Sequence, residues 1–339
     1  MRILAIQLNQ PGDAVLTTPA LQWLMEQGHD VHALLQPLGA ELLQGMPGLA
    51  SAEALPRDSF QIGRDVRRAL RYRRARFDRA IVFSKCSDRP ALWAALSGAK
   101  ERLGLWTPRN QHVGRIGFIN HWVRDHALGT HTVCQHLFLA GAPPEAAMQA
   151  RLVYHPPEAD QTWAAEWMRQ RDLKTGGYLL LHTGSRWPSK SWPLENWAGF
   201  IRDARKKLSL PLLLTCGRDS RETEFTRRLV QTAAGDHTEI GTLSVNQLGA
   251  LLQNAAGFLG VDSMPMHLAA ALGKPGLALF GPTDEKTWGP WKSRLTVVRT
   301  PCGCLHAQHT CLKNASRCLA ELSPATVLEK MAQALQTST

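Results

Sequence analysis

Short apolar runs alternate with amphipathic stretches along the first half of the chain. Three of these runs have the length and composition of buried strands: Ile3 to Leu8, Val31 to Leu35 and Ala80 to Phe83. After the first run, apolar residues recur at helical spacing from Pro19 to Leu24, and Gly28 is typical of a helix end. Strands that alternate with helices predict βαβ units and therefore a parallel sheet.

The alternation of predicted strands and helices resumes in the second half. Four further runs are predicted to be strands: Tyr178 to Leu181, Leu212 to Thr215, Gly257 to Gly260 and Leu277 to Phe280. Proline-rich segments near residues 141–144 and 155–157 separate the two halves. We therefore predict an α/β protein in which two domains, residues 1–155 and 156–322, face each other across a cleft, followed by a C-terminal helix within 323–339.

The composition is that of an ordinary globular protein. The chain of 339 residues is longer than a typical single domain, which favours two domains. Of its residues, 44% are hydrophobic and 20% are charged. No apolar run approaches the roughly 18 residues of a spanning helix, and the first residues lack the pattern of a signal peptide. We expect a cytoplasmic protein, and peripheral contact with a membrane stays open.

Basic residues outnumber acidic ones, which gives a net charge of +11 and a pI near 9.6. This charge favours an anionic partner without separating nucleic acid, a phosphorylated glycolipid and a nucleotide. Much of it is concentrated in one stretch of arginines: Arg57, Arg64, Arg67, Arg68, Arg71, Arg73, Arg74, Arg76 and Arg79. A solvated helix face is the alternative interpretation of this stretch.

Asp13 lies where the first predicted strand gives way to a helix. In open α/β sheets, ligands bind at the carboxyl ends of strands, so a carboxylate at this place can act as a general base. Aspartate is also a favoured helix cap, and the segment alone leaves both roles open.

Two segments of the second half carry groups that suit a phosphorylated ligand. The first is the loop from His182 to Trp192, which offers N–H groups and hydroxyls at residues 183–185 and positive charge at Arg186 and Lys190. It lacks a glycine-rich dinucleotide pattern or a Walker pattern, so an ordinary polar loop is the alternative.

The second segment runs from Gly260 to Trp291. Asp262 and Ser263 follow a strand and precede a helix with His267 in its first turn, which places polar groups beside a positive helix N-terminus. The alternative is that Asp262 only caps the helix and that His267 only fills a polar pocket.

Together these motifs make the chain similar to the ADP-heptose:lipopolysaccharide heptosyltransferases over nearly its whole length. The motifs that carry the resemblance occur in a fixed order: Gly12-Asp13 with Thr18-Pro19-Ala20-Leu21, then Lys190-Ser191-Trp192-Pro193, Met266-His267-Leu268-Ala269-Ala270 and Phe280-Gly281-Pro282-Thr283-Asp284. The resemblance implies a GT-B fold of two Rossmann-like domains with parallel sheets, the N-terminal one binding the acceptor and the C-terminal one the nucleotide-sugar. It also implies an inverting, metal-independent transfer of L-glycero-D-manno-heptose from ADP-heptose to the inner core of lipopolysaccharide.

The resemblance assigns roles to individual residues. Asp13 is implied to be the catalytic base that takes a proton from the acceptor hydroxyl, and Gly12 to let the backbone turn closely beside it. Lys190 is implied to contact the diphosphate and to stabilise the departing ADP. The donor-binding residues that the resemblance implies besides Lys190 are Thr183, Gly184, Ser185, Glu222, Thr242, Leu243, Asp262, Ser263, Met264 and His267.

Within this implied donor site, Asp262 would contact the heptose hydroxyls. Either Glu222 or Glu224 would hold the ribose, and the chain around Thr242 and Leu243 would pack on the adenine. One departure from the family pattern concerns the sugar pocket, because the family usually has a small residue at the position of Met264. Another is Pro11, which stiffens the approach to Asp13.

A group of cysteines lies near the end of the chain, at Cys302, Cys304, Cys311 and Cys318. Four thiolates suit a structural zinc or iron ion, although the C-x-C spacing is tighter than in the usual zinc sites. Reduced thiols, or a disulfide formed on isolation, are the alternatives. The implied transfer itself requires no cofactor.

The expected partners follow from the resemblance: ADP-heptose, the lipopolysaccharide inner core and, peripherally, the inner membrane, with no nucleic acid. Arg67, Arg71 and Arg74 are expected to face the phosphates and acidic sugars of the lipid-anchored acceptor. One rival is a GT-B enzyme with a different nucleotide-sugar donor or acceptor. Another is a nonenzymatic basic protein that binds nucleic acid or an anionic membrane, which leaves Asp13 and Lys190 unexplained.

Overall fold

The chain divides into two compact units, Met1–His155 and Pro156–Thr339. The computed structural model describes residues 1–57, 61–84, 88–106, 117–124, 131–233, 238–239, 243–300 and 317–336. Among these residues, none of the helices is long and apolar enough to cross a membrane.

The first unit contains a six-stranded sheet in which all neighbouring strands are parallel. Its strands are β1 (Arg2–Gln7), β2 (Asp30–Leu35), β3 (Ser51–Ala54), β4 (Arg79–Val82), β5 (Glu101–Trp106) and β6 (His121–Arg124). Their order across the sheet, β3-β2-β1-β4-β5-β6, is that of a Rossmann fold. The order reverses between β1 and β4, so the carboxyl ends of these two strands flank the crevice where such sheets bind ligands.

The second unit repeats this topology. Its strands are β7 (Leu179–His182), β8 (Leu212–Thr215), β9 (Thr238–Glu239), β10 (Gly257–Val261), β11 (Gly276–Leu279) and β12 (Leu295–Val298). They are parallel and lie in the order β12-β11-β10-β7-β8-β9. Counted from β7, this is the same Rossmann order, and the reversal falls between β7 and β10.

Helices connect the strands of each unit. The described helices of the first unit are α1 (Pro11–Glu26), α2 (Pro37–Leu43), α3 (Ile62–Ala75), α4 (Asp88–Leu96), α5 (Thr132–Leu139) and α6 (Ala146–Gln149). Those of the second are α7 (Glu158–Arg169), α8 (Leu194–Lys207), α9 (Ser220–Ala233), α10 (Val245–Asn254), α11 (Met264–Ala271), α12 (Glu285–Trp288), α13 (Arg317–Ala320) and α14 (Pro324–Gln336). A 3₁₀ turn at Pro188–Lys190 lies in the loop after β7.

The central strands are buried along almost their whole length. All residues of β7, β8, β10 and β11 are buried, and β1 is buried from Ile3 onward. Parallel sheets of this kind are covered on both faces, so their strands are continuous apolar runs instead of alternating patterns. This explains why the seven strands predicted from apolar runs are all present, with ends that differ by one residue at most.

Helix α1 continues through Pro19, which has no N–H to donate to the carbonyl of Val15. The Thr18 hydroxyl takes over this role and donates to Val15 O at 2.7 Å. The backbone N–H of Val153 in turn donates to Thr18 Oγ1 at 2.9 Å. The Thr-Thr-Pro segment therefore keeps the helix intact and ties it to the chain that leaves the unit.

The structure corrects one expectation about the start of α1. Gly12 does not form a turn beside Asp13, because it lies buried inside the first turn of the helix. Pro11 is the first helical residue, a position where its missing N–H costs nothing and its fixed φ suits the helix. The chain therefore enters the helix directly after Gln10.

Candidate functional site

A buried ion pair joins Lys190 and Asp262 in the second unit. Lys190 Nζ lies 2.6 Å from Asp262 Oδ2, and the two side chains are only 9% and 6% exposed. Asp262 follows β10 directly, and Lys190 ends the 3₁₀ turn in the loop after β7. Since β7 and β10 are neighbours at the reversal of strand order, the pair lies where sheets of this kind bind ligands.

Stability alone does not explain this ion pair. Transfer of two charges from water to a protein interior is costly, and apolar replacements of buried ion pairs are often neutral or stabilising. The position of the pair at a ligand-binding edge therefore makes Lys190 and Asp262 candidates for binding or catalysis. The pair also argues against Asp262 as a simple helix cap, because the N-cap of α11 is Ser263.

The loop that carries Lys190 is fixed by the tryptophan two residues later. Trp192 is fully buried, and its Nε1 donates to the carbonyl of Leu322 at 3.0 Å. Its ring packs edge-to-face on Trp197 with 5.0 Å between the centroids. A Cβ at Gly281 would lie 3.1 Å from the carbonyl oxygen of Ser189, a tight contact, so glycine eases the close approach of the loop after β11. The motif that begins at Lys190 and the motif that contains Gly281 are therefore in contact, although they are distant in sequence.

The expectation for Thr183 needs a correction. Its N–H donates to the carbonyl of Thr215 at 3.1 Å, so this group belongs to the sheet and is not offered to a phosphate. Its hydroxyl shares a 3.0 Å hydrogen bond with Thr226 Oγ1 and keeps further hydrogen-bonding capacity. Ser185 is half-buried, and its hydroxyl accepts the N–H of Trp187 at 3.3 Å.

The Glu222 carboxylate lies between two glycines at the carboxyl ends of β7 and β8. It accepts the N–H of Gly217 at 2.9 Å, and a Cβ on either Gly184 or Gly217 would overlap Glu222 Oε2. Burial raises the pKa of this carboxyl above its ordinary value. In contrast, Glu224 pairs with Arg227 at 2.6 Å on the surface. The geometry therefore favours Glu222 over Glu224 as a ligand-binding group.

Helix α11 begins at the same edge of the sheet. Its N-cap Ser263 uses its hydroxyl to donate to the carbonyl of Val261 at 3.2 Å. Met264 is half-buried, and His267 is buried in the first turn. The helix N-terminus adds a partial positive charge at the point where Asp262 and Lys190 meet.

Two further expectations concern the adenine. Thr242 lies outside the described residues. Leu243 is half-buried, and its carbonyl accepts a hydrogen bond from Arg218 Nε at 3.0 Å. The adenine contact thus stays a prediction.

Thr283 is a buried residue that the sequence did not single out as a site. It follows β11 and is only 4% exposed, and its hydroxyl has no hydrogen-bond partner among the described residues. A buried hydroxyl without a partner is costly unless a ligand or water satisfies it. The only sequence signal is its place in the Gly281-Pro282-Thr283 motif, in the loop that follows β11.

In the first unit, Asp13 completes a capping box at the start of α1. Asp13 Oδ2 accepts the N–H of Gln10 at 3.1 Å, and the N–H of Asp13 donates to the carbonyl of Gln10 at 2.9 Å. The side chain is half-buried at the carboxyl end of β1. The two roles considered for Asp13 therefore do not exclude each other, because the cap fixes the carboxylate at the ligand-binding edge.

A buried polar network lies behind this edge and was missed by the sequence. His136 Nδ1 lies 3.2 Å from Thr17 Oγ1, and His136 Nε2 lies 3.1 Å from the carbonyl oxygen of Phe83 at the end of β4. Gln7 Nε2 donates to the same Thr17 hydroxyl at 3.2 Å. The network ties α1, β1, β4 and α5 together, which no local pattern could indicate.

Each unit contains a histidine that is held neutral by burial. Desolvation lowers the pKa of His136 from the ordinary 6.5 to about 4, and it lowers the pKa of His182 to the same value. His182 ends β7, and its Nδ1 lies 3.0 Å from Thr215 Oγ1. Both rings therefore stay uncharged in the folded protein at neutral pH.

We predict that acid destabilises the protein between about pH 6.5 and pH 4. In this range the unfolded chain binds a proton at each histidine and the folded chain does not, so stability falls as the pH falls. The loss can reach roughly 3 kcal/mol per histidine. Urea unfolding across this range should show it, and His136→Gln should have a smaller pH dependence than the parent. An equal pH dependence in both would contradict the assignment to His136.

The arginine stretch divides into inward and outward side chains. Arg68 is largely buried and pairs with Glu53 at 2.5 Å, while Arg71 is 62% exposed and reaches the same carboxylate. Arg67 and Arg74 are exposed on α3. Arg68 therefore stabilises the unit itself, and the contact of Arg67, Arg71 and Arg74 with the acceptor stays a prediction.

The family of this chain is evident from its sequence. A model described as glycosyltransferase family 9 (heptosyltransferase) matches residues 64–316, which is more than half of the chain. The chain belongs to this family. The resemblance inferred from the motifs is thereby confirmed.

Solved structures of family 9 share the fold over the whole chain. The glycosyl transferase family 9 protein from Veillonella parvula superposes with a TM-score of 0.85 at 19% identity, covering 100% of this chain and 98% of that one. The Escherichia coli ADP-heptose lipopolysaccharide heptosyltransferase II gives 0.78 at 20% identity, with coverages of 100% and 99%. This similarity confirms the predicted GT-B class.

Among curated family relatives, lipopolysaccharide heptosyltransferase 3 from Escherichia coli is 31% identical over 138 residues. The alignment covers 39% of this chain and 40% of the relative. The chain therefore spans about two fifths of the length of the relative that it matches.

The sequence predicted a structural metal site at the C-terminal cysteines. No group of three or more His, Cys, Asp and Glu side chains that could hold a metal ion is found in the described parts of the chain. Of the four cysteines predicted as a structural site, Cys302, Cys304 and Cys311 lie outside the described residues. Cys318 is buried in α13. The structural metal thus stays a prediction.

Proposed function

We propose that this protein is an inverting glycosyltransferase that moves L-glycero-D-manno-heptose from ADP-heptose to the inner core of lipopolysaccharide. The observation that carries the proposal is the buried pair of Lys190 and Asp262 at the strand-order reversal of the second unit. The family match and the name of the Escherichia coli relative support heptose as the sugar. The proposed site of action is the cytoplasmic face of the inner membrane, where a lipid-anchored acceptor is accessible.

Lys190 would bind the diphosphate of the donor. An ammonium group has three donors, so its charge contact with Asp262 leaves donors for phosphate oxygens. Its charge, together with the N-terminus of α11, would stabilise the ADP that leaves when the bond to the anomeric carbon breaks. These groups would take the part that a divalent cation plays in other transferases, so the proposal includes no metal step.

The remaining donor groups would fix the sugar and the nucleoside. Asp262, oriented by Lys190, would accept hydrogen bonds from the heptose hydroxyls. Glu222 would accept hydrogen bonds from the ribose, because its carboxylate is held at the ends of β7 and β8 by the Gly217 N–H. Thr283 would offer its unsatisfied hydroxyl to the same ligand.

The acceptor would bind to the first unit. Asp13 would remove the proton from the acceptor hydroxyl as that oxygen attacks the anomeric carbon opposite ADP. Its carboxylate is already oriented by the Gln10 N–H. Arg67, Arg71 and Arg74 would attract the phosphates and acidic sugars of the acceptor.

Calorimetric titration of the purified protein with ADP, UDP, GDP and NAD tests the donor site. We expect selective binding of ADP. Glu222→Gln should weaken this binding by about tenfold, because a hydrogen bond to a charged group is worth roughly 1.5–3 kcal/mol. Glu224→Gln is the matched control and should bind ADP as the parent does, since Glu224 pairs with a surface arginine.

Other outcomes of this titration would change the proposal. If the protein preferred UDP or GDP, it would still be proposed as a nucleotide-sugar transferase, but with a different donor. Equal effects of the two glutamate substitutions would remove Glu222 from the site. No binding of any nucleotide would contradict the catalytic proposal itself.

A further inference from the structure

Helix α3 exposes three large apolar side chains in one row. Ile62, Val66 and Leu70 are 70%, 51% and 48% exposed. Their spacing of four residues places them on one face of the helix, each about one turn from the next. Single exposed apolar residues are common on proteins, but a continuous row of them usually marks an interaction surface.

The opposite side of α3 packs onto its own unit. Asp65 and Tyr72 are buried there, and Tyr72 donates to Glu53 Oε2 at 2.7 Å. Arg68 reaches the same carboxylate and stacks over the ring of Trp93. The inner side of the helix therefore packs against the first unit, and the apolar row lies on the outer side.

Two arginines border the apolar row. Arg67 and Arg74 are exposed at helical spacing beside it, and Arg73 is exposed as well, whereas Arg71 lies further round the helix and pairs with Glu53. Among the described residues, Arg67 and Arg74 form no ion pair, and the single acidic residue of the helix, Asp65, is buried. Within Ile62–Ala75, the outer side thus combines apolar and cationic residues, and the one acidic side chain is turned inward.

This combination fits a surface that is anionic outside and apolar just beneath. A lipid bilayer with anionic headgroups has this layering, whereas a polyanion such as nucleic acid offers phosphates without an apolar layer. Long arginine side chains can reach headgroup phosphates while neighbouring apolar side chains enter the acyl boundary. Charge complementarity and the apolar row therefore point to the same occupant.

We propose that α3 docks the first unit onto an anionic phospholipid bilayer. The helix lies in the plane of the surface, with Ile62, Val66 and Leu70 entering between the headgroups and the bordering arginines contacting lipid phosphates. This binding needs neither sugar donor nor acceptor. The three apolar residues have no part in the proposed transfer, so loss of docking through them would leave transfer to a lipid-free acceptor unchanged, and failure of the transferase activity would leave the docking unchanged.

Sedimentation with phospholipid vesicles tests the proposal. The full chain should bind vesicles of phosphatidylethanolamine and phosphatidylglycerol and bind pure phosphatidylcholine vesicles at least about tenfold more weakly, because each basic residue contributes to attraction by anionic lipid. The triple variant Ile62→Ser, Val66→Ser and Leu70→Ser should lose at least about tenfold in affinity for the anionic vesicles, since it loses the buried apolar area. Met148→Ser is the matched control, because Met148 is an equally exposed apolar residue of the same unit, at 69%.

Salt separates insertion from simple charge attraction. If the apolar row enters the bilayer, part of the parent's binding should survive at about 0.5 M salt, where charge interactions between exposed groups are screened, and the serine variant should lose that part. Unchanged binding of the serine variant, or complete loss of parent binding in salt, would overturn the proposal. Transfer to an acceptor freed of its lipid checks the fold of the serine variant, and it should equal that of the parent.

Discussion

Asp13→Asn is expected to lower the rate of sugar transfer by about 10² to 10⁴, the usual contribution of a general base. An asparagine oxygen can still accept the N–H of Gln10, which Asp13 Oδ2 accepts at 3.1 Å, so the start of α1 is preserved. Only the ability to take a proton is lost. The rate is measured with ADP-heptose and a lipopolysaccharide acceptor at saturation, together with the melting temperature.

Asp13→Ala provides the comparison that separates capping from catalysis. This variant loses both the base and the cap, and a lost cap costs about 1 kcal/mol of stability. Both variants should therefore lose transfer, but Asp13→Ala alone should be less stable. ADP binding, which the proposal assigns to the second unit, should be normal in both. A near-normal rate in Asp13→Asn would show that this carboxylate is only a cap.

Lys190→Met is expected to destabilise the second unit and abolish transfer. Removal of one partner leaves the Asp262 carboxylate buried and uncompensated, which typically costs about 3–5 kcal/mol. The donor site would also lose its cation for the diphosphate, so ADP affinity should fall. Denaturant unfolding and ADP titration measure the two effects separately.

The double variant Lys190→Met, Asp262→Asn separates these two effects. With both charges removed, no uncompensated carboxylate stays buried, so most of the lost stability should return. Transfer should stay absent, because neither the cation nor the carboxylate is present. Recovery of activity together with stability would show that the pair acts only on folding. Failure to recover stability would show that Lys190 has another essential contact.

Much of the fold was predictable because central strands of parallel sheets are buried on both faces. The seven apolar runs identified in the sequence correspond to β1, β2, β4, β7, β8, β10 and β11. The strands that the sequence did not reveal lie at or near the sheet edges, where burial is less complete: β3, β5, β6, β9 and β12. The sequence Ser51–Ala54 illustrates the reason, because its four residues include a serine and a glutamate and none is fully buried.

The candidate site was predictable only as a set of residues. Asp13, Lys190 and Asp262 were recognised from motifs that also identified the family. Which glutamate faces the ligand edge could not be decided, since Glu222 and Glu224 lie on the same helix and differ only in their tertiary surroundings. The packing of Glu222 between Gly184 and Gly217 distinguishes the two.

The sequence by itself determined the α/β class, the family and the residue types of the site, because apolar runs and motifs are local properties of the chain. The tertiary structure alone decided which groups meet. The order of strands brings the ends of β7 and β10 together, and only then do Lys190 and Asp262 form a pair. It likewise decided that His136 is buried behind β1 and β4. Burial and hydrogen-bond partners depend on residues distant in sequence, and no local pattern carries that information.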